Sequence, residues 1–440
     1  VRSNIRLSKQ TIFLLYFFSI IMLGSILLTM PFAYREGRIR YIDALFTATS
    51  AVCVTGLTVV DTLSFTRIGQ TIIIILIQLG GLGIIAFFTM YLFLPHRKIS
   101  VYTRGFAGDY TVPSFEYRTR NIIAQIIKWT AGIEVLGTLL LWPLFVRHGY
   151  SLFDAIFHAI SAFCNAGFST LYTGMQFFRD NVLANVVTMG LIVTGGLGFI
   201  VLQDVWQVVR KKKMHLTYHS SVVLRTTAGL ILGGAALLYM LEYNHAFKEL
   251  SEGTKVMASF FQSVTARTAG FDTVPQARFS SMGQFVTIIL MFIGASPGST
   301  GGGVKTTTFY LLLLAALRYR EERNVLVDRN RTIMPNSIIK ASAVVVRALA
   351  IVLAATTVLL IAEPAHGNPV NIETAVFESV SAFGTVGLSI GITPHLSVAS
   401  KLALICTMFM GRVGLFAMAI PHARHSPERY AESPKADILL

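Results

Sequence analysis

The chain reads as an all-α polytopic membrane protein. It is built from four tandem helix–pore-loop–helix units in pseudo-fourfold arrangement around one central pore. Three observations predict this. Hydrophobic residues make up 53% of the chain and charged residues only 13%, a balance outside the soluble globular range. Apolar runs of bilayer length recur from one end to the other. One local pattern occurs four times at intervals of roughly a hundred residues: FTATSAVCVTGLT, FHAISAFCNAGFS, FFQSVTARTAGFD and FESVSAFGTVGLS, with glycines at Gly56, Gly167, Gly270 and Gly387. A pattern at near-constant spacing defines the structural unit before any other element is assigned.

The apolar runs cover residues 11–32, 71–94, 122–146, 182–209, 222–241, 285–317, 341–361 and 402–420. A spanning helix needs about 20 apolar residues, so eight spans are expected. The first run is too long for the apolar core of a signal peptide and no small-residue cleavage site follows it, so it reads as the first membrane helix. The net charge of +15 resides between spans: from Arg97 to Arg120, Arg210 to Lys213 and Arg318 to Arg331, with Arg2, Arg6 and Lys9 before them and Arg424, Arg429 and Lys435 after. Eight spans put all five basic segments on one side, which the excess of Lys and Arg marks as cytoplasmic, both termini included, in a multi-pass cell-membrane protein. Arg35, Arg38 and Arg40 fall on the other side and run against the rule. The basicity therefore follows membrane topology, and no nucleic acid is expected as a partner. The three cysteines, Cys53, Cys164 and Cys406, make no disulfide framework; Cys53 and Cys164, each three residues before a repeat glycine, read as small packing residues.

Each unit runs from an apolar span through a short half-apolar helix, the glycine and a short loop to a second span. The boundaries fall at 1–98, 99–214, 215–325 and 326–424, with a tail at 425–440. The short helices, at 44–52, 155–163 and 375–383 for example, cannot cross a bilayer. At membrane depth they need protein or a water-filled cavity around their ends. Ala44, Ala155, Ala258 and Ala375 stand twelve residues before the glycine, and Phe46, Phe157, Phe260 and Phe377 stand ten before it. Ser50, Ser161 and Ser381 stand six before it, where the third unit has Val264. The second spans carry GGLG at 80–83 and 195–198 and GRVG at 411–414. The third begins alike, with MFIG ending at Gly294 against MFMG ending at Gly411, and then departs into ASPGSTGGGVKTTT.

A cation stripped of water needs oxygen ligands, which rings of backbone carbonyls supply. Glycine lets four chain segments line a narrow path with no intruding side chain. The expected filter is thus Val54, Thr55 and Gly56; Asn165, Ala166 and Gly167; Thr268, Ala269 and Gly270; and Thr385, Val386 and Gly387. The short helices aim their partially negative C-terminal ends at it. Asp272, two residues beyond Gly270, is expected at the outer mouth, where a carboxylate concentrates cations. Arg267 occupies the position of Cys53 and Cys164; beside a cation path it should turn away and pair, with Glu378 the expected partner.

Residues 294–308 interrupt an apolar span with Pro297, five glycines and several Ser and Thr. Relative to alanine, glycine costs a helix about 1 kcal/mol and proline about 3, so a loop at membrane depth is expected, lying across the path beneath the filter. Gly294, Gly298, Ser299, Thr300, Gly301, Gly302, Gly303 and Lys305 of this loop, together with Arg412, are the candidate residues beneath the filter. Arg412 replaces the second glycine of the GGLG pattern. An arginine inside a span faces a cavity or a partner, which here is the loop. The stretch GSTGGGVKT resembles a phosphate-binding loop only superficially, because Val304 separates Lys305 from the last glycine and apolar spans flank it; no enzyme is expected. Gln78, Glu134, His158, Asp204 and Glu378 are further polar residues inside spans. A relay built on Glu134 and Asp204 would make a Na+- or H+-coupled secondary transporter, the alternative reading. Such transporters pair two interrupted helices, and this sequence shows one.

In combination, TGLT, NAGFS, TARTAGFD and GTVGLS resemble the Trk/Ktr/HKT superfamily of potassium transporters, over nearly the whole chain. With eight spans the chain is most similar to the KtrB-type membrane subunits of Ktr potassium uptake systems. The resemblance implies a K+ channel-like architecture with K+ at the filter carbonyls and no covalently bound cofactor. Thr385, Val386 and Gly387 match the start of the potassium-channel filter sequence. The resemblance also implies that the 294–308 loop is the gate and that the arginine at 412 limits leak. It further implies a homodimer embedded in membrane lipid, with a cytosolic nucleotide-binding regulatory subunit of the KtrA type; every predicted inner loop is short and basic, so sensing falls to that subunit. The tail ending Ala436 to Leu440 would pack at the dimer interface. In the plant branch of the superfamily, serine at the first filter position accompanies Na+ permeation, so Gly56 implies a preference for K+. Gly56→Ser is expected to weaken discrimination of K+ over Na+ several-fold. Relative uptake of the two ions, in cells lacking their own uptake systems, measures this, and an unchanged ratio refutes it.

Overall fold

The computed structural model describes residues 9–35, 37–93, 119–318, 326–329 and 331–414. The basic segment from Arg97, most of that from Arg318 to Arg331, the residues before Lys9 and the tail lie outside these. The helices fall into four successive sets. The first is α1 (Lys9–Thr29), α2 (Tyr41–Val52) and α3 (Arg67–Phe93). The second is α4 (Thr119–Arg147), α5 (Leu152–Cys164) and a broken pair, α6 (Val182–Leu197) and α7 (Phe199–Val209). The third is α8 (Tyr218–Glu242), α9 (Glu252–Thr265), α10 (Ser281–Phe292) and α11 (Thr306–Arg318). A small hairpin, β1 (Leu326–Asp328) with β2 (Arg331–Ile333), leads into α12 (Pro335–Ala365), α13 (Ile372–Gly384) and α14 (Val398–Phe409), which passes into a π-turn over Met410–Gly414.

The first helix of each set is long and apolar enough to cross a bilayer: Thr11–Thr29, Ile123–Arg147, Tyr218–Glu242 and Pro335–Ala365. A third or less of each is buried within the chain. An apolar exterior of that extent needs lipid around it, and helices satisfy their own backbone groups there. The short helices are the inverse. In α2, α5 and α13 the side chains of Phe46, Phe157 and Phe377 are fully buried. In the third set the fully buried ring is Phe261, and Phe260, the residue the spacing selects, is only partly covered. The register of α9 is offset by one residue there.

The glycines of the second spans have a packing reason. A Cβ at Gly80, Gly195 or Gly411 would strike the carbonyl oxygen of Val52, Phe163 or Phe383, the last turn of the short helix in the same set. Only glycine lets the two helices approach so closely. In the third set Gly294 meets the Gly302 carbonyl instead, because the chain has already left the helix.

Two of the predicted spans are broken, where the sequence suggests one. Between α10 and α11 the chain is non-helical from Ile293 to Lys305, and the helix resumes at Thr306, inside the stretch assigned to the loop. The run 182–209 also breaks: α6 and α7 meet at 105° around Gly198, whose φ is +89°. The same GGLG pattern stays helical in α3. The difference is tertiary, since the Phe199 amide freed by the bend donates to the Gly298 carbonyl of the loop at 3.3 Å.

Successive sets are tied to one another in a cycle. Arg67 of α3 pairs with Asp154 of α5 at 2.6 Å. Thr254 of α9 donates to Asp180, just before α6, at 2.8 Å. Ser281 of α10 donates to Glu373 of α13 at 3.1 Å. Lys401 of α14 then pairs with Asp43 of α2 at 2.8 Å, closing the cycle across 358 residues of sequence. Both partners of the closing pair are buried, at 2% and 6% side-chain exposure, whereas Arg67 is half exposed. Removing one member of a buried pair costs up to about 3–5 kcal/mol, here reduced because Asp43 keeps the exposed Arg40 at 2.9 Å. Lys401→Met should therefore lower the thermal midpoint in detergent far more than Arg67→Met does. Adding Asp43→Asn to Lys401→Met should recover part of the loss. Equal shifts for the two single variants would show that the closing pair carries no special weight.

Candidate ion path and its intramembrane loop

The four repeat glycines meet in a ring. A Cβ on Gly56 would lie 2.5 Å from the Ala166 carbonyl oxygen and 2.9 Å from Gly167 Cα. One on Gly167 would lie 3.0 Å from the Ala269 oxygen and 3.2 Å from Gly270 Cα. One on Gly270 would lie 2.5 Å from the Val386 oxygen and 3.2 Å from Gly387 Cα. One on Gly387 would strike the Thr55 oxygen, 2.9 Å from Gly56 Cα, which returns the series to its start. Each glycine thus sits against the carbonyl of the residue that precedes the next glycine. All four have positive φ, from +72° to +93°, so both the space and the backbone exclude a side chain.

Two residues before each glycine the chain is left-handed again: Val54, Asn165, Thr268 and Thr385 have φ of 56°, 60°, 71° and 51°. Three of these four are β-branched, for which this conformation costs on the order of 1–3 kcal/mol. Sequence reasoning gave no sign of this strain. It is held by bonds to the end of each short helix. The amides of Thr55, Ala166 and Val386 donate to the carbonyls of Ser50, Ser161 and Ser381 at 2.7, 2.7 and 2.9 Å. The serine hydroxyls complete the clamp: Ser50 accepts from the Gly56 amide at 3.0 Å, while Ser161 and Ser381 donate to the Phe168 and Leu388 carbonyls at 2.7 and 2.6 Å. Val264, at the aligned place in the third set, has no hydroxyl to offer. Thr265 performs the task one residue later, donating to Phe271 at 2.5 Å and accepting from the Ala269 amide at 2.9 Å.

The non-helical segment between α10 and α11 lies directly against this ring. Its Gly302 amide donates to the Thr385 hydroxyl at 3.1 Å, and a Cβ on Gly301 would strike the Thr268 hydroxyl. Its Thr300 amide donates to Gly195 at 3.2 Å and its Thr300 hydroxyl to Phe163 at 3.3 Å. Ser296 reaches Gly196 through its amide at 3.1 Å. Internally, Ser299 donates to the Ser296 carbonyl at 2.6 Å, Gly294 to that of Val304 at 2.8 Å, and the Lys305 ammonium folds back onto the Gly301 carbonyl at 2.6 Å. Gly303 packs on Gly294 and Gly384, and Gly298 beside Gly198. Arg412, in the π-turn after α14 and 4% exposed, donates to the Thr300 carbonyl. The loop residues and Arg412, far apart in sequence, are thus brought together with the glycine ring.

Two expectations change. Arg267 does not pair with Glu378. It donates to the Thr227 and Gly294 carbonyls at 3.3 and 3.4 Å, the second freed by the break after α10. Glu378 instead accepts from the Ser389 hydroxyl, the Ile390 amide at 3.2 Å and the Thr393 hydroxyl at 3.0 Å, all just beyond Gly387. A buried guanidinium takes carbonyls left free by a broken helix, and a buried carboxylate takes amides and hydroxyls of its own loop. Glu134 and Asp204 also have separate partners. Glu134 accepts both bonds from Gln78 at 2.8 Å, and Asp204 accepts from Lys213 at 2.9 Å and from Thr217. Asp272 is partly buried in the loop after Gly270, which raises its carboxyl above the usual range, while a 3.1 Å bond from Gln176 opposes that rise.

Comparisons with known proteins identify the family. The family model of TrkH, a cation transport protein, matches residues 2–432. Ktr system potassium uptake protein B of Vibrio alginolyticus is 34% identical over 432 residues, 97% of this chain and 94% of that protein. Potassium/sodium uptake protein NtpJ of Enterococcus hirae is 37% identical over 446 residues, covering 99% and 98%. Ktr system potassium uptake protein B of Bacillus subtilis is 38% identical over 441 residues, covering 97% and 96%. The crystal structure of the potassium transporter TrkH from Vibrio parahaemolyticus has the same fold, with a TM-score of 0.75 at 20% identity over 95% of this chain and 86% of that one. The chain belongs to the TrkH family of cation transport proteins.

Proposed function

We propose that the chain carries K+ into the cell through the glycine ring, with the four helix sets arranged pseudo-fourfold around one path as units 1–98, 99–214, 215–325 and 326–424. The observation that carries this reading is the closed cycle of the four glycines, each against the carbonyl of the next segment. Four chain segments stripped of side chains and rich in carbonyls are what a dehydrated cation requires. The names of the relatives point to potassium, and one of them to potassium and sodium together. Asp272 serves at the mouth. The basic loops set both termini on the cytoplasmic side. A homodimer and a cytosolic nucleotide-binding subunit of the KtrA type complete the system, in keeping with relatives named as one protein of a Ktr system. The transported ion is the only ligand this requires.

In this reading the loop from Gly294 to Lys305 is the gate. It is bonded to the ring itself through Thr385 and is held from below by Arg412. The guanidinium places a positive charge beside the path, which disfavours a cation there. Opening must break the Gly302–Thr385, Thr300–Gly195, Thr300–Phe163 and Arg412–Thr300 bonds. Each neutral bond is worth about 0.5–1.5 kcal/mol net and the charged one about 1.5–3. A total of several kcal/mol is within what a regulatory subunit can supply, since about 5.5 kcal/mol moves a two-state equilibrium from 1:99 to 99:1.

Arg412→Ala, or deletion of residues 299–303, is expected to raise K+ uptake several-fold in cells lacking their own uptake systems, and to blunt its regulation. Parental flux with parental regulation in both variants refutes the gate. One observation favours the coupled-transporter reading: Glu134 is buried inside α4 with neutral Gln78 as its bonded partner, as an ion- or proton-binding carboxylate would be. Reversal potentials separate the two. Uncoupled conduction follows the K+ gradient alone, and a reversal potential that shifts with Na+ or pH at fixed K+ selects coupling.

A further inference from the structure

The 105° turn at Gly198 sends α7 away from the direction of α6. A helix leaving a span at that angle runs close to the bilayer plane. Its faces match such a course: Phe199 and Val201 are buried, while Trp206 and Val209 are 40% and 68% exposed. Trp206 meets Trp129 of α4 edge to face, with ring centroids 5.1 Å apart, and the Arg210 guanidinium lies over the Trp206 ring at 4.3 Å. Beyond α7 the chain turns through Lys211 in the left-handed region, at φ 55°. Lys213 fixes the turn by pairing with Asp204 at 2.9 Å. Arg210, Lys211 and Lys212 are left exposed, next to Met214 at 88%. Two indoles, three exposed cations and two exposed apolar side chains thus share one corner of the molecule.

We propose that α7 and the turn at 210–213 form a binding surface for anionic phospholipid headgroups of the cytoplasmic leaflet. The inference rests on the membrane placement argued above and not on the identity of the transported ion. Indole rings settle at headgroup depth. A helix with one apolar face and a basic end lies in the interface. Each Lys or Arg near an anionic surface adds to the attraction, and three act together here. A protein docking on the same turn is the competing occupant. The paired indoles and exposed Val209 and Met214 favour the bilayer, which accepts apolar and cationic groups side by side. The surface also reaches the gate, because α7 begins at the Phe199 amide bonded to Gly298, and Gly198 packs on the Pro297 carbonyl. Headgroups held here anchor an element that supports the loop.

The test is depth-specific quenching of tryptophan fluorescence. The chain has three tryptophans, so Trp142→Phe leaves Trp129 and Trp206 as reporters. The full-length variant is reconstituted in vesicles containing a small fraction of either brominated phosphatidylglycerol or brominated phosphatidylcholine in the same unbrominated matrix. Quenching by the anionic lipid should be several-fold stronger at equal fraction. Adding Arg210→Gln, Lys211→Gln and Lys212→Gln should bring the two lipids to parity, while Arg210→Lys alone should keep the preference. Equal quenching before the Gln substitutions overturns the proposal and leaves a protein as the occupant of the turn. A preference that survives all three Gln changes overturns it as well. The readout needs no ion flux, so it stands or falls separately from K+ conduction.

Discussion

The structure depends on the contact of one glycine Cα with the carbonyl of the neighbouring segment, made four times around a closed cycle. At that contact there is no room for a single added carbon. A ring of this kind is not stable by itself. It places polar carbonyls side by side and holds four residues in a left-handed conformation. Everything around it supplies compensation. The serines and the threonine at the ends of the short helices clamp the chain around each glycine, with the backbone carbonyl on the preceding amide and the hydroxyl on the glycine or the residue after it. The second spans press against the last carbonyls of those helices through glycines that allow the approach. The side-chain ties between successive sets hold the four segments together.

The departures from fourfold regularity are concentrated on one side of the ring. Two of the four second spans break there, at Gly198 and between α10 and α11, and a third passes into the π-turn after α14. The loop contacts both of the other sites. The freed amide at Phe199 is satisfied by the loop, and the freed carbonyl at Thr300 by Arg412. Backbone that has left a helix at membrane depth must find partners in protein or water, so one break favours the next. The same logic explains Arg412. A guanidinium inside a membrane protein is tolerated where carbonyls are left over, and a broken helix is a source of them. Arg267 exploits the break after α10 in the same way, and its expected carboxylate partner was taken by a nearer loop.

The sequence by itself determined the membrane class, the four units, the glycines that meet and the loop that interrupts the sixth apolar run. Each of these is local. Spans follow from hydropathy over about 20 residues, the units from self-similarity, and the loop from a density of glycine and proline that no helix accepts. That Arg412 needs a partner was legible, because a charge in a span demands one; that the partner is the loop came from the family resemblance. What only the tertiary structure decided was set by contacts between units. The one-residue offset of α9, with Thr265 serving where Val264 aligns, depends on which residue faces the ring. The left-handed Val54, Thr268 and Thr385 contradict the local preference of β-branched residues and survive only because the helix ends bond the amides on either side. The bend at Gly198 cannot be read from GGLG, since the same four letters stay helical in α3. It exists because a carbonyl from another unit stands ready to receive the amide that bending sets free.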